Sequence, residues 1–136
     1  MVDLMNSMYI ASSGIQAQGE RMKVIAQNIA NVDSVAQSPG GKPYQRKVIS
    51  FQNVLNKELE ADTVQVKKVD TDESPYEKKY EPHHPAADQN GYVLYPNVNV
   101  MVEMTDMKEA QRSYEANIKV VDMSKQMMLK TLDILR

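Results

Sequence analysis

Apolar residues recur at one step near both ends of this chain, and the residues between them keep no such period. Toward the C-terminus Val100, Met107, Tyr114, Val121, Met128 and Leu135 lie seven apart. A second row, Met104, Gln111, Ile118, Lys125 and Leu132, runs between them with three apolar and two polar members. Steps alternating between three and four residues describe a narrow seam on a long helix that packs against another helix. Neither Pro nor Gly interrupts residues 97–136. Near the N-terminus Leu4, Met8, Ala11, Ile15, Gln18, Met22, Ile25, Ile29 and Val32 keep the same alternation. At 1.5 Å per residue the first run is about 42 Å long and the second about 54 Å. Gly14 and Gly19 each weaken the first helix by roughly 1 kcal/mol relative to Ala, which is tolerable where another backbone comes close.

The pattern predicts an α+β chain: two long terminal helices packed as an α-helical hairpin or coiled coil, with a small β-rich module inserted between them. Residues 1–33 and 98–136 form one discontinuous coiled-coil domain in this reading, and residues 34–97 form the loop and insertion. Asn31-Val32-Asp33-Ser34 ends the first helix, and Ser38–Pro43 is a Pro- and Gly-rich loop. Tyr44–Phe51 reads as a strand and Val54–Leu59 as a short helix or packed loop. Val64–Val69 alternates as a half-buried strand does, and Tyr76–Tyr80 is expected to pair with it across the Asp70–Pro75 turn. Asp88-Gln89-Asn90-Gly91 is a turn signal before Tyr92–Tyr95, and Asn97 or Asn99 caps the last helix.

Composition sharpens this division. All ten Met lie in the terminal runs and all six Pro lie between Pro39 and Pro96. Met fills irregular gaps and suits adaptable contacts, although it also fills ordinary helix–helix cores. Within residues 4–32 only Glu20, Arg21 and Lys23 are charged, against 25% of the whole chain. The face away from the seam carries Ser7, Ser12, Ser13, Gln16, Gln27, Asn28 and the small Ala17, Ala26 and Ala30. A solvated helix usually shows many charges there, so this helix is expected to be surrounded on most sides through assembly. The last helix carries Glu103, Asp106, Glu109, Arg112, Glu115, Lys119 and further charges of both signs, which read as a solvated face or as pairs with neighbouring subunits. Gln18 and Gln111 are seam positions able to set register.

Length sets one domain as the prior for 136 residues. A net charge of −2 with dispersed Lys and Arg gives no basic stripe and argues against nucleic acid. There is no Cys, which removes disulfides and thiolate metal sites. No stretch approaches the roughly 20 apolar residues of a membrane span. Met1-Val2-Asp3-Leu4 lacks the basic and apolar regions of a cleaved signal peptide, so departure from the cytoplasm is expected to use another route. His83 and His84 are adjacent between Pro82 and Pro85, a poor arrangement for a tetrahedral metal site. No nucleophile elbow or phosphate-binding loop occurs. The expectation is a structural protein and not an enzyme, with no catalytic, cofactor or metal residues and no small-molecule substrate.

Ala11-Ser12-Ser13-Gly14-Ile15-Gln16-Ala17-Gln18, continuing to Ala26-Gln27-Asn28-Ile29-Ala30-Asn31-Val32, resembles the signature of bacterial flagellar rod and hook proteins. Glu103–Met107 through Ala110-Gln111-Arg112-Ser113-Tyr114-Glu115-Ala116-Asn117 is similar to the second block of that family. Gly40–Lys47, His84–Asp88 and Gly91–Val100 look like its short proximal-rod members, while Asp33-Ser34-Val35-Ala36 departs from the wider family's ending at that point. The resemblance covers nearly the whole chain. It implies a flagellar basal-body rod subunit, exported by the flagellar type III apparatus and assembled helically to carry torque from motor to hook. Implied partners are copies of itself, other rod proteins, the export apparatus, and the membrane ring or motor base at one end. The expected assembly interface comprises Leu4, Met8, Ile15, Met22, Ile25, Ile29, Met104, Met107, Tyr114, Ile118, Val121, Met128 and Leu132. The family-motif residues are Ser13, Gly14, Asn28, Asn31, Arg112, Tyr114 and Asn117. The competing reading is a soluble coiled-coil adaptor or export chaperone that binds a helical partner, which explains the seams but not the charge-poor outer face of residues 4–32.

Overall fold

The structure, a computed structural model, describes residues 2–136. Helix α1 (Val2–Ala30) and helix α2 (Val100–Ile134) flank four strands: β1 (Lys47–Asn56), β2 (Ala61–Thr71), β3 (Glu77–Tyr80) and β4 (Tyr92–Tyr95). β1 pairs with β2 and β3 pairs with β4, giving two separate two-stranded sheets in an α+β chain. Helix α1 closes where Asn31 donates from both its backbone and its side chain to the Gln27 carbonyl. Asn99 caps α2, its Oδ1 accepting from the N–H groups of Met101 and Val102.

Two expectations for the middle segment are corrected. β1 does not give way to a helix at Val54; it runs to Asn56, because the Val54 carbonyl accepts from Thr63 Oγ1 across the hairpin. The hairpin then turns through Lys57–Glu60, with the Leu59 N–H on the Asn56 carbonyl and Glu60 at φ 50°. The segment 76–80 pairs not with β2 but with β4, in the register Glu77↔Tyr95 to Tyr80↔Tyr92. The cause lies between the strands. The Asp72 carbonyl accepts from Gln45 Nε2 and Asn97 Nδ2, and the Ser74 carbonyl also accepts from Asn97. Residues 72–74 are thereby fastened to distant stretches instead of folding back as a tight turn.

The chain forms two compact units. The first holds the chain up to Met22, Ile49–Lys68 and Lys108–Arg136. In it the two helix segments run antiparallel: Gly14 lies against Asn117, and Arg21 pairs with Glu109 at 3.6 Å. The hairpin sits on α1, with the Leu59 carbonyl accepting from Asn6 and the Val64 N–H donating to Ser13 Oγ. Part of the charge-poor face of α1 is therefore covered by the chain's own β2, and Ala17 is buried there.

The second unit holds Lys23–Val48 and Val69–Met107. Its interior is Val24, Ile25, Val93, Pro96 and Val98, with two polar side chains, Asn28 and Glu103, each 1% exposed. The β3–β4 connection ends in the Asp88–Gly91 turn, where the Asp88 carboxylate accepts from the N–H groups of Asn90 and Tyr92. Gly91 takes φ 84°, a left-handed conformation in which its missing Cβ would also meet the Tyr80 ring at 2.8 Å.

The seam of α2 requires a third correction. The row Met107, Tyr114, Val121 and Met128 faces inward as expected, each at least half-buried. Its companion is not Met104, Gln111, Ile118, Lys125 and Leu132, which are all exposed, but the row one residue earlier: Glu103, Ala110, Asn117, Ser124 and Thr131. In the first unit the buried residues of both helices are small: Ala11 and Ala17 on α1, Ala110 and Ser124 on α2. Short side chains let backbones approach, and the larger side chains of the next row are turned outward. The glycine argument also changes. A Cβ on Gly14 would meet the Asn117 side chain at 2.6 Å, not a backbone, and nothing lies within 4 Å of one on Gly19.

Candidate assembly surface

Helix α2 binds its inner face with small and polar residues and leaves its bulk outside. Met101, Val102, Met104, Ile118, Val120, Met123, Met127, Leu129, Leu132 and Ile134 are all exposed. Isolated exposed apolar residues are ordinary, but ten of them on one helix make that helix the candidate surface for contact. The buried apolar side chains among the described residues include Ala11, Ala17, Val24, Ile25, Val93, Pro96, Val98 and Ala110, three of them alanines. In the first unit an open groove of ≈ 420 Å³ adds to this, lined by Met5, Met8, Tyr9, Ser12 and Ile15 of α1 with Val121 and Met128 of α2.

The residues given an assembly role by the apolar period divide into two groups. Met104, Ile118 and Leu132 are open to solvent. Leu4, Met8, Ile15, Met22, Ile25, Ile29, Met107, Tyr114, Val121 and Met128 are half-buried or buried within the folded chain. The motif residues are placed as follows. Ser13 receives the Val64 N–H, Gly14 and Asn117 abut, and Asn31 closes α1. Tyr114 is half-buried and Arg112 is exposed.

Asn28 has the fullest role of that set. Its Oδ1 accepts from Tyr44 Oη at 2.8 Å and from the Lys47 N–H at 2.9 Å. Its Nδ2 donates to the Lys47 carbonyl at 2.8 Å and to Glu103 Oε2 at 3.3 Å. The other Glu103 oxygen accepts from Arg46 Nε, and Arg46 also reaches Asp72 at 3.2 Å and Asp106 at 3.9 Å. The Arg46 N–H donates to Asn97 Oδ1, which ties the last element to the rest. The end of α1, residues 44–47, Asp72, Asn97 and the first turns of α2 thus meet in one polar node. Buried polar groups are costly unless paired, and here the pairing is complete enough to fix one arrangement.

Electrostatics agree with the geometry. Burial disfavours the Arg46 charge, but the carboxylates of Glu103 and Asp72 outweigh it and raise the guanidinium's proton affinity. Hydrogen bonds from Ser74, aided by Arg46, hold Asp72 below the usual carboxylate value. Burial and then the charge of Glu103 push the Tyr44 hydroxyl up.

Sequence reasoning missed most of this node. The sequence reads Glu103 as part of a solvated face or as paired with a neighbouring subunit; it is instead buried within the chain, where Arg46 and Asn28 supply its partners. The available signal was its place seven residues before Ala110, in a row of small side chains. Among the described residues no group of three or more His, Asp or Glu is arranged to hold a metal ion, and no helix is long and apolar enough to cross a membrane. The His84 Nδ1 accepts from the Ala86 N–H within its own loop.

Comparison with known proteins places this arrangement. Residues 8–36 match the family described as flagella basal body rod protein, and residues 89–134 match the flagellar basal body rod FlgEFG protein C-terminal family. The chain is 44% identical over 131 residues to the flagellar basal-body rod protein FlgC of Salmonella typhimurium, covering 96% of this chain and 97% of that one. It is 42% identical over 127 residues to the FlgC of Agrobacterium fabrum, covering 93% and 91%. Against the FlgC of Borreliella burgdorferi it is 39% identical over 150 residues, covering 98% of each.

Proposed function

Because this chain belongs to the FlgC family of flagellar basal-body rod proteins, we propose that it is a subunit of the proximal rod, assembling helically and passing torque from the motor toward the hook. A structural role in the basal-body rod, in association with other rod components, follows from that membership. The outward apolar surface of α2 is the observation that supports the finer reading. Met104, Ile118 and Leu132 meet the helices of adjacent subunits, either copies of this chain or other rod proteins. The half-buried row behind them holds each subunit's own helix pair. Close-packed helices resist bending and twisting because dense interiors deform little. Contacts that do not close on themselves build filaments instead of rings.

In this proposal residues 1–33 and 98–136 act together as the helical assembly element, and residues 34–97 supply lateral contacts that distinguish this subunit from other rod proteins. Family membership also supports synthesis in the cytoplasm and passage through the flagellar type III apparatus without signal cleavage. One end of the rod then joins the membrane ring and motor base.

The test is Ile118→Asp combined with Leu132→Asp, produced in the native bacterium lacking its own copy of the gene. Both residues are exposed, so the purified chain should keep its helical circular dichroism, while basal bodies with hooks and swimming should be lost. Normal basal bodies from the double variant would remove the outer face of α2 from the assembly.

A further inference from the structure

Four of the exposed apolar side chains on α2 are methionines: Met101, Met104, Met123 and Met127. Met101 is 74% and Met123 62% exposed, whereas Met107 and Met128 on the same helix are half-buried. Met123 and Met127 lie one turn apart with Val120 on the preceding turn, and Met101 and Met104 sit together at the start of the helix. Four of the ten exposed large apolar side chains of this helix are therefore thioethers. A thioether is the one apolar side-chain group that a mild oxidant makes polar in a single step.

We propose that these four methionines are oxidation sites that control whether the free chain can assemble. In the reaction a peroxide O–O bond breaks and one oxygen bonds to the methionine sulfur. The sulfur is oxidised by two electrons to the sulfoxide, and the peroxide leaves as water. Methionine sulfoxide reductases reverse the step, returning the thioether and releasing water as a dithiol is oxidised to a disulfide. Each sulfoxide places a strong hydrogen-bond acceptor on a surface that must become dry. Burying it without a donor weakens association by about tenfold per site. The sites react only before assembly, because contact with neighbours then covers them. This inference rests on the proposed use of the outer face of α2 in the rod.

The experiment compares the full-length chain with a variant carrying Met101→Leu, Met104→Leu, Met123→Leu and Met127→Leu, exchanges that nearly conserve volume and apolarity. Each is induced in the native bacterium lacking its own copy, with or without sublethal hydrogen peroxide, and basal bodies with hooks are counted. Both chains should build basal bodies without peroxide. With peroxide the wild-type count should fall by about tenfold or more below that of the Leu variant, since even one sulfoxide per chain weakens association about tenfold. Mass spectrometry of the purified wild-type chain should find sulfoxide at the four sites before Met107 and Met128. Equal losses in the two strains, or oxidation that begins at Met107 and Met128, overturn the inference and leave the assembly reading to its own Asp substitutions. Should the Leu variant fail without peroxide, overproduction of the sulfoxide reductases beside the wild-type chain replaces it. No protection by the reductases also overturns the inference.

Discussion

Asn28 Nδ2 stands 3.3 Å from Glu103 Oε2, joining the last turn of α1 to the first turn of α2 within the second unit. Both side chains are almost wholly shielded from water. The amide has spent its remaining groups on Tyr44 and Lys47, so the carboxylate depends on Arg46 for its charge partner.

Removing that cation should be the most damaging change in the node. Arg46→Met leaves the Glu103 carboxylate buried without its partner, and breaking a buried pair in this way costs about 3–5 kcal/mol. Glu103→Gln keeps the shape and can still accept from Asn28, so its cost should stay near about 1–2 kcal/mol. Urea unfolding followed by circular dichroism reads both. An Arg46→Met midpoint no lower than that of Glu103→Gln would show that the pair does not hold the unit together.

Asp72 gives the node a pH dependence of known sign. Its folded-state value is lowered from the ordinary 3.8, first by the hydrogen bonds from Ser74 and then by Arg46. The unfolded carboxylate therefore takes up its proton first as pH falls. The contribution to stability is present above the ordinary value and is lost as pH drops through the lower, folded one. Unfolding midpoints measured between about pH 5 and pH 2 should fall less steeply in Asp72→Asn than in wild type. Parallel curves would assign the acid sensitivity to other groups.

The two glycines of α1 should respond in opposite ways. Gly19→Ala meets nothing within 4 Å and should stabilise the monomer by about 0.5–1 kcal/mol through helix propensity. Gly14→Ala confronts the Asn117 side chain at 2.6 Å, so the same gain is cancelled or reversed. Adding Asn117→Ala should bring the gain at position 14 back, a coupling that a double-mutant cycle measures directly. Additive effects of Gly14→Ala and Asn117→Ala would deny the contact.

Ile25 and Ile118 separate folding from association. Ile25 is 5% exposed in the interior of the second unit, and Ile25→Asp should unfold that unit and lower helical circular dichroism. Ile118 is 38% exposed, and Ile118→Asp should leave the monomer spectrum unchanged. A soluble, well-folded Ile25→Asp chain would contradict the burial described for that residue.

These contrasts show what the chain discloses before its structure is known. The two helices, the Asn99 cap and the Asp88–Gly91 turn are legible because each follows from local chemistry: an apolar period, a short acceptor side chain, a residue that tolerates positive φ. The inward row of α2 is not legible, since Ala110, Ser124 and Thr131 carry little hydrophobic signal while Met104, Ile118 and Leu132 beside them carry a strong one. A helix with two apolar rows shows two periods, and periodicity does not say which row faces inward. The buried role of Glu103 depends on Arg46, 57 residues away. The partner of β3 depends on distant hydrogen bonds to Asp72 and Ser74.

The node also has a temporal meaning. Its two deepest side chains, Asn28 and Glu103, are separated by 75 residues of chain. Until Glu103 is available, Arg46 Nε and one Asn28 amide hydrogen lack their acceptor, although Asp72 and the Lys47 carbonyl already offer partners, so a shortened chain leaves this interior incomplete. Closure of the second unit therefore acts as a completeness check. A chain that ends before its last helix lacks Glu103, and with it the buried carboxylate that joins the two ends of the second unit.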